Sequence, residues 1–375
     1  MKLRNPFLIY GYVSPEYFCD REVETEKIIS ALRNGRNVTL MSPRRMGKTG
    51  LIHNVFFQIN KTLPNAACFY LDLFPTKDLS NFVSMFGKAV MGQASTLSQK
   101  AFEGISSFFR NCNLVFSPDP ISGTPQVSLD FKPQQAESTL QEIFEYLKSV
   151  EKECFIAFDE FQQVTEYPET TLEATLRSYA QFCPNVHFIF SGSKQHLMSE
   201  IFDSPQRPFY RSTQKVSIAA IPEQNYYLFG AEWLSKVSTM LPQEIFHQLY
   251  ERFEGHTWYL QNILNHLYEQ HPARVSIGVI NDCIAEIVLS ESDDYKRHYN
   301  LLTNNQKQLL RAIGVEKCVQ SINGGDFMSR YRFKGTSSVN KALAYLLDKE
   351  YVYRSDTGYI VYDRFMGLWL QQLPE

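Results

Sequence analysis

The residues best suited to chemistry stand in two short runs. In Ser42-Pro43-Arg44-Arg45-Met46-Gly47-Lys48-Thr49, followed by Gly50, a glycine precedes a lysine and a hydroxyl. Backbone N–H groups of such a loop, with the positive end of the helix after it, favour phosphate; Lys48 would reach β- and γ-phosphate oxygens and the Thr49 hydroxyl would join a magnesium shell. The usual pattern opens on glycine, where this chain has Ser42, and serine accepts unusual backbone angles less readily. A basic turn ahead of a helix is the plain alternative. The second run, Cys154-Phe155-Ile156-Ala157-Phe158-Asp159-Glu160, reads as an apolar strand with two carboxylates at its carboxyl end, the end at which parallel sheets bind ligands. Asp159 would hold Mg²⁺ through its water shell and Glu160 would polarise an attacking water. An acidic cap on a following helix is the other reading of these two residues.

Two further groups could serve the same chemistry. Ser191-Gly192-Ser193 ends another apolar run, so Ser191 would sense a γ-phosphate beside the carboxylates, while Ser193 would equally cap a helix. Arg207 and Arg211 flank Pro208-Phe209-Tyr210. Either is a candidate to neutralise transition-state charge, within one subunit or across a subunit boundary.

Positioning these residues requires strands that alternate with helices. Apolar β-rich runs at 38–41, 68–73, 154–158, 186–190 and 216–218 are separated by helical patterns, such as Leu140, Ile143, Phe144, Leu147 and Val150 on one face. That order predicts a parallel α/β sheet. Residues 111–133 interrupt it as a β-hairpin insertion, with turn residues between two alternating runs; an interaction arm and a solvated insertion are both open for it. After residue 221 the strand signals stop and helical patterns run over 226–237, 243–253, 258–270 and 277–290. From Thr303 come three further helical segments and two short alternating runs joined by Ser355-Asp356-Thr357-Gly358, a hairpin signal. This is the order of a winged helix-turn-helix. The expected domains are 1–221, a helical unit 222–299 and a winged helix 300–375.

Composition narrows the classes further. With 375 residues and a formal charge of −3, the chain is long enough for several domains and has no global field drawing it to nucleic acid or an anionic membrane. Its seven cysteines, Cys19, Cys68, Cys112, Cys154, Cys183, Cys283 and Cys318, are scattered without metal spacing. A reduced compartment, and so the cytoplasm, is expected, with no membrane span.

Taken together, these motifs resemble the AAA+/STAND type of P-loop ATPase, and specifically the prokaryotic archaeal-type ATPase family, which is similar to the Orc/Cdc6 initiators. The resemblance covers nearly the whole chain. It rests on Phe18-Cys19-Asp20-Arg21-Glu22-Val23-Glu24, Pro43 through Thr49, Phe158-Asp159-Glu160-Phe161, Arg207-Pro208-Phe209-Tyr210, and Tyr362-Asp363-Arg364-Phe365 through Trp369-Leu370. It implies a P-loop sheet of order 5-1-4-3-2, a helical lid, a C-terminal winged helix, and an N-terminal segment with Tyr17, Phe18 and Arg21 against the adenine. The chain departs from the family where Arg211 follows Tyr210 without a glycine, and where the lid motif reads Gly255-His256-Thr257. Trp258 and Tyr259 are read as lid core in preference to adenine stackers, because buried aromatics dominate helix packing.

The resulting expectation is an ATPase that binds ATP or ADP with Mg²⁺ and turns over slowly, its nucleotide state coupled to lid and winged-helix position. An initiator-like DNA-binding protein locked by nucleotide is the alternative, and a nucleotide-holding scaffold without turnover a third. Partners beyond ATP would be another protein, a second copy of the chain, or DNA through the winged helix. There the basic Arg330, Arg332, Lys334, Lys341 and Arg354 are nearly cancelled by Asp326, Asp348, Glu350, Asp356 and Asp363.

Overall fold

The computed structural model describes residues 5–94, 107–118, 125–355 and 357–374. They form two compact units, Tyr10–Tyr226 with His256–Trp258, and Met1–Ile9 with Tyr227–Gly255 and Tyr259–Glu375. Among the described residues no helix is long and apolar enough to cross a membrane.

In chain order the first unit contains α1 (Glu22–Arg33), β1 (Val38–Met41), α2 (Lys48–Thr62), β2 (Ala67–Asp72), α3 (Leu79–Ala94), β3 (Asn113–Pro118), β4 (Pro125–Asp130), α4 (Ala136–Ser149), β5 (Cys154–Asp159), α5 (Leu172–Phe182), β6 (Val186–Gly192), α6 (Gln195–Asp203) and β7 (Gln214–Ser217). Five strands form one sheet in the order β2-β5-β6-β1-β7 with parallel pairing. Counted without the β3–β4 hairpin, this is the order 5-1-4-3-2. Alternation of side chains across each strand divides the core between the two faces. Phe155 and Ala157 of β5 and Ile189 of β6 join Leu51, Ile52 and Val55 of α2. Ile156, Phe158, Phe188 and Phe190 face the other way, onto Phe82, Phe86 and Phe144. Apolar contact on both faces is what a parallel sheet requires. It leaves the carboxyl ends of β1, β5 and β6 as the edge where polar residues can gather.

The hairpin pairs Asn113 with Asp130 through Pro118 with Pro125. Gly87 of α3 lies under Leu129 of β4 so closely that a Cβ there would sit 2.4 Å from Leu129 Cδ1. The tip of the insertion falls outside the described residues.

The second unit holds α7 (Glu223–Ser235) from Tyr227 onward, α8 (Gln243–Arg252), α9 (Thr257–Gln270) from Tyr259 onward, α10 (Ile277–Ser290), α11 (Ser292–Asn300), α12 (Asn304–Glu316), α13 (Gly325–Arg330), α14 (Thr336–Asp348), β8 (Val352–Arg354), β9 (Tyr359–Val361) and α15 (Arg364–Gln371). Trp369 packs its ring against Tyr295 and Tyr299, and Tyr259 lies between Phe253 and Phe365. The β8–β9 wing turns through Ser355, whose Oγ accepts the N–H groups of Thr357 and Gly358. Gly358 has φ 149°, and a Cβ there would lie 2.6 Å from the Val319 carbonyl oxygen, so only glycine suits this corner.

The start of the chain departs from the expected division. Residues 5–9 cluster with the helical unit. Phe7 is fully buried between the rings of Phe229 and Tyr268, and Asn5 and Asn265 bond to each other's segments through main-chain oxygens.

Candidate functional site

β1 ends at Met41 and α2 begins at Lys48, so residues 42–47 form the loop that joins them. Its left-handed backbone positions are Arg45, φ 64°, and Gly47, φ 91°; Ser42 is not one of them. Serine in place of the first glycine therefore meets no forbidden angle. The strain sits instead on Arg45, where a side chain in this region costs about 1–2 kcal/mol and is retained at sites that use the resulting shape. α2 carries no side-chain cap, which leaves the N–H groups of its first turn to other acceptors. The buried Lys48 turns back over the loop: Nζ donates to the carbonyl oxygens of Ser42 and Pro43, 2.8 Å each, with Ser42 Oγ at 3.4 Å. Burial pushes this ammonium down to about 8, against the opposite pull of Glu160 and Asp159.

Opposite the loop, β5 presents its two acids in different ways. Asp159 is buried, and its Oδ2 accepts the Thr49 hydroxyl at 2.7 Å and the Tyr70 phenol at 2.8 Å, while Oδ1 accepts the Glu160 N–H at 3.1 Å. Burial first, then the neighbouring Asp159 charge, pushes the Tyr70 phenol well above its ordinary value, so it stays a donor. Glu160 stands in left-handed backbone, φ 52°. Its Oε2 accepts Gln162 Nε2 at 2.5 Å and Ser193 Oγ at 2.7 Å. The Glu160 carboxylate makes no cap on the short 3₁₀ turn Phe161–Glu166. Ser193 likewise caps nothing, because Lys194 occupies the N-cap position of α6. Arg44 Nε approaches the same Ser193 hydroxyl at 3.4 Å, which links the loop to the third strand at this edge.

These residues fit a metal-bound nucleotide. A threonine hydroxyl has one proton and two lone pairs; the Thr49 proton goes to Asp159, which leaves the oxygen's lone pairs for a cation. A hydroxyl beside a carboxylate is a hard-oxygen pair of the kind magnesium prefers. The loop meanwhile offers an uncapped helix start and a buried ammonium to an anion.

The remaining sequence candidates fall into place unevenly. Phe18 lies on Gly50: a Cβ there would meet Phe18 Cε2 at 2.9 Å. Tyr17 and Met46 are buried, whereas Pro43 is exposed. Arg21, expected beside adenine, is a buried tie: its guanidinium donates to Glu24 Oε1 at 2.9 Å and to the Ala219 carbonyl at 2.7 Å. Ser191 is fully buried with its hydroxyl unpartnered, and Ser193 is the serine that reaches Glu160. Arg207 pairs with Glu173 at 3.2 Å and Glu200 at 3.5 Å. Arg211 lies over Tyr210 and lines an open pocket with Phe202, Asp203, Thr213 and Lys215. Neither arginine bonds Lys48, Asp159 or Glu160 in this chain.

Three residues of the site were not singled out for it from the sequence. Tyr70 and Gln162 belong to no motif; strand order in the sheet brings Tyr70 of β2 to Asp159 of β5, while Gln162 bonds Glu160 from two residues further along the same turn. Trp258, read as lid core, instead lies with the first unit, where the Arg45 guanidinium sits 4.0 Å from its ring centroid.

Comparison with known proteins agrees with the architecture. A family described as a probable winged helix domain matches residues 293–372. No curated protein matches the chain. Among solved structures, the chain is similar to the Walker-type ATPase of Pyrococcus abyssi, at 16% identity and TM-score 0.65 over 98% of this chain and 99% of that one. It is also similar to the ORC2 protein of Aeropyrum pernix, solved in ADPNP-ADP complexes, at 15% identity and TM-score 0.58 over 98% and 96%. The ORC1 protein of Aeropyrum pernix, solved in complex with DNA, aligns at 13% identity and TM-score 0.52 over the same shares. The chain thus has the α/β P-loop fold of these Walker-type ATPase and ORC structures, with a winged helix domain at its C-terminal end.

Proposed function

We propose that this protein binds ATP and ADP with Mg²⁺, hydrolyses ATP slowly, and works as a switch of AAA+/STAND type in which nucleotide state sets lid and winged-helix position. The observation that carries this reading is the Thr49–Asp159 hydrogen bond beside a buried Lys48. It joins a cation-ready hydroxyl, its carboxylate partner and a phosphate-seeking ammonium at one sheet edge. Ser42 through Gly50 would cradle the phosphates, and Phe18 would lie toward the base. Thr49 and Asp159 would hold magnesium, which supplies charge neutralisation for the phosphates. Glu160, fixed by Gln162 and Ser193, would accept a proton from, or orient, the attacking water. Arg207 already neutralises Glu173, so Arg211 is the better placed of the two arginines to act on a neighbouring copy.

The test is Glu160→Gln. Nucleotide affinity should stay within about twofold while turnover falls at least ~100-fold, the size expected when a positioned base is lost. Equal single-turnover rates for the two proteins would reduce Glu160 to a residue of the turn.

A second reading, nucleotide-locked DNA binding of the initiator kind, draws on the winged helix. There α14 exposes Thr336, Ser337, Asn340 and Lys341 directly after the exposed Arg332 and Lys334. Arg330 is already engaged by Glu316, which reduces the basic face that remains for phosphate.

A further inference from the structure

Tyr70 stands outside both motif runs, yet it touches the carboxylate on which the cation site depends. In the β2–β5 ladder Tyr70 pairs with Ala157, and Asp72 with Asp159. Positions two apart on a strand share a face, so Tyr70, Ala157 and Asp159 project to the α2 side of the sheet. Alanine at 157 leaves the Tyr70 ring room to run along the sheet toward Asp159, where its phenol donates to Oδ2 at 2.8 Å. That is the same oxygen that accepts Thr49 at 2.7 Å. The ring is held from behind. His53 of α2 lies 4.7 Å from it, centroid to centroid, His53 stacks on Tyr12 at 6.0 Å, and the Tyr12 hydroxyl donates to Asn54 Oδ1 at 3.2 Å.

We propose that Tyr70 is a positioning residue of the cation site: it fixes the Asp159 carboxylate in the orientation that receives the Thr49 proton, keeping the Thr49 lone pairs directed to magnesium. A carboxylate on a single flexible χ2 turns freely unless an oxygen is anchored, because terminal sp³–sp² torsions are broad. The Glu160 N–H anchors Oδ1 only at 3.1 Å, and it comes from the adjacent residue of the same chain segment. Tyr70 supplies a donor from a separate strand, so Asp159 is held independently of the backbone that carries it. The phenol neither touches nucleotide nor takes part in proton transfer. Its effect on the reaction passes through Asp159 and Thr49.

This inference rests on the reading of the site as a magnesium–nucleotide site, and the experiment separates the two. ADP is titrated calorimetrically into wild type and Tyr70→Phe, once with excess Mg²⁺ and once with EDTA. Loss of an outer partner of a metal ligand costs 10-fold or more in metal affinity. The magnesium-dependent gain in ADP affinity should therefore shrink about tenfold in Tyr70→Phe, while affinity in EDTA stays the same. An unchanged magnesium gain, or an equal loss in both buffers, would overturn the positioning role. Absence of ADP binding to wild type would instead overturn the site reading itself. His53→Phe keeps an aromatic ring against Tyr70 and leaves the phenol in place, so its magnesium gain should match wild type; a tenfold shrinkage there would assign the effect to packing. If Tyr70→Phe does not fold, wild type labelled with ¹³Cζ-tyrosine decides: the Tyr70 resonance should shift with ADP and Mg²⁺ and not with ADP in EDTA, and identical spectra would contradict the proposal.

Discussion

The segment of residues 42–48 and the winged helix both carry basic residues, and they carry them differently. Lys48 is buried and turned onto carbonyl oxygens of its own loop, with two carboxylates close enough to bear on its titration. Arg332, Lys334 and Lys341 stand exposed, and Arg330 is engaged by Glu316 on the surface. A buried ammonium is expensive unless paired, so its presence is informative about what the site must hold. Exposed charges are cheap to keep and weakly coupled to their neighbours. Burial therefore makes one cluster a strong statement about chemistry and leaves the other a statement about solvation.

The largest effect expected is the loss of turnover in Glu160→Gln with binding retained, because Glu160 is held in place by two side chains that have no part in holding phosphate. The next concerns pH. Lys48 is held at about 8 by burial, below the ordinary lysine value, and only its protonated form attracts phosphate. Nucleotide affinity should be flat below pH 8 and fall toward tenfold per unit above it, read by calorimetry from pH 7 to 9.5. A lysine left in water would keep affinity level over that whole range. The smallest effect belongs to the winged helix. If α14 meets DNA, Lys341→Ala should weaken binding about equally for all sequences and reduce the salt slope by about 1. A wild-type affinity that does not respond to salt would remove the DNA reading.

Much of this arrangement was legible in the residues, for reasons that also mark the limit. The order of strand, loop and helix around residues 38–62 follows from an apolar run, a glycine-lysine-threonine end and a 3.6-residue period, all local signals. The same holds for the wing, where Ser355 and Gly358 specify the turn. The edge strand β7 begins at Gln214 rather than 216, because Gln214 and Lys215 pair with Val38 and Thr39 in the ladder, and edge strands admit polar residues that hydrophobicity alone would exclude. Ser42 replaces the usual glycine without meeting a left-handed angle, because the positive φ values of the loop fall on Arg45 and Gly47. Ser191 and Ser193 differ by two positions, and both are compatible with a strand end. Which of them meets Glu160 depends on where the backbone leaves the sheet toward α6, a tertiary property. Tyr70 and Trp258 reach the site through strand order and chain return, which no local pattern encodes, whereas Gln162 meets Glu160 from two residues along the same turn. The family resemblance puts Arg21 against the base, whereas its guanidinium is buried and tied to Glu24 and the Ala219 carbonyl.

The central claim is that Lys48 and its loop form a phosphate site, and one calorimetric titration tests it most directly: MgATP into wild type and into Lys48→Ala, with folding of both checked by thermal melting. Loss of a charge-assisted partner to phosphate predicts that the substitution abolishes binding or weakens it by about tenfold or more. An unchanged affinity in Lys48→Ala would contradict the account.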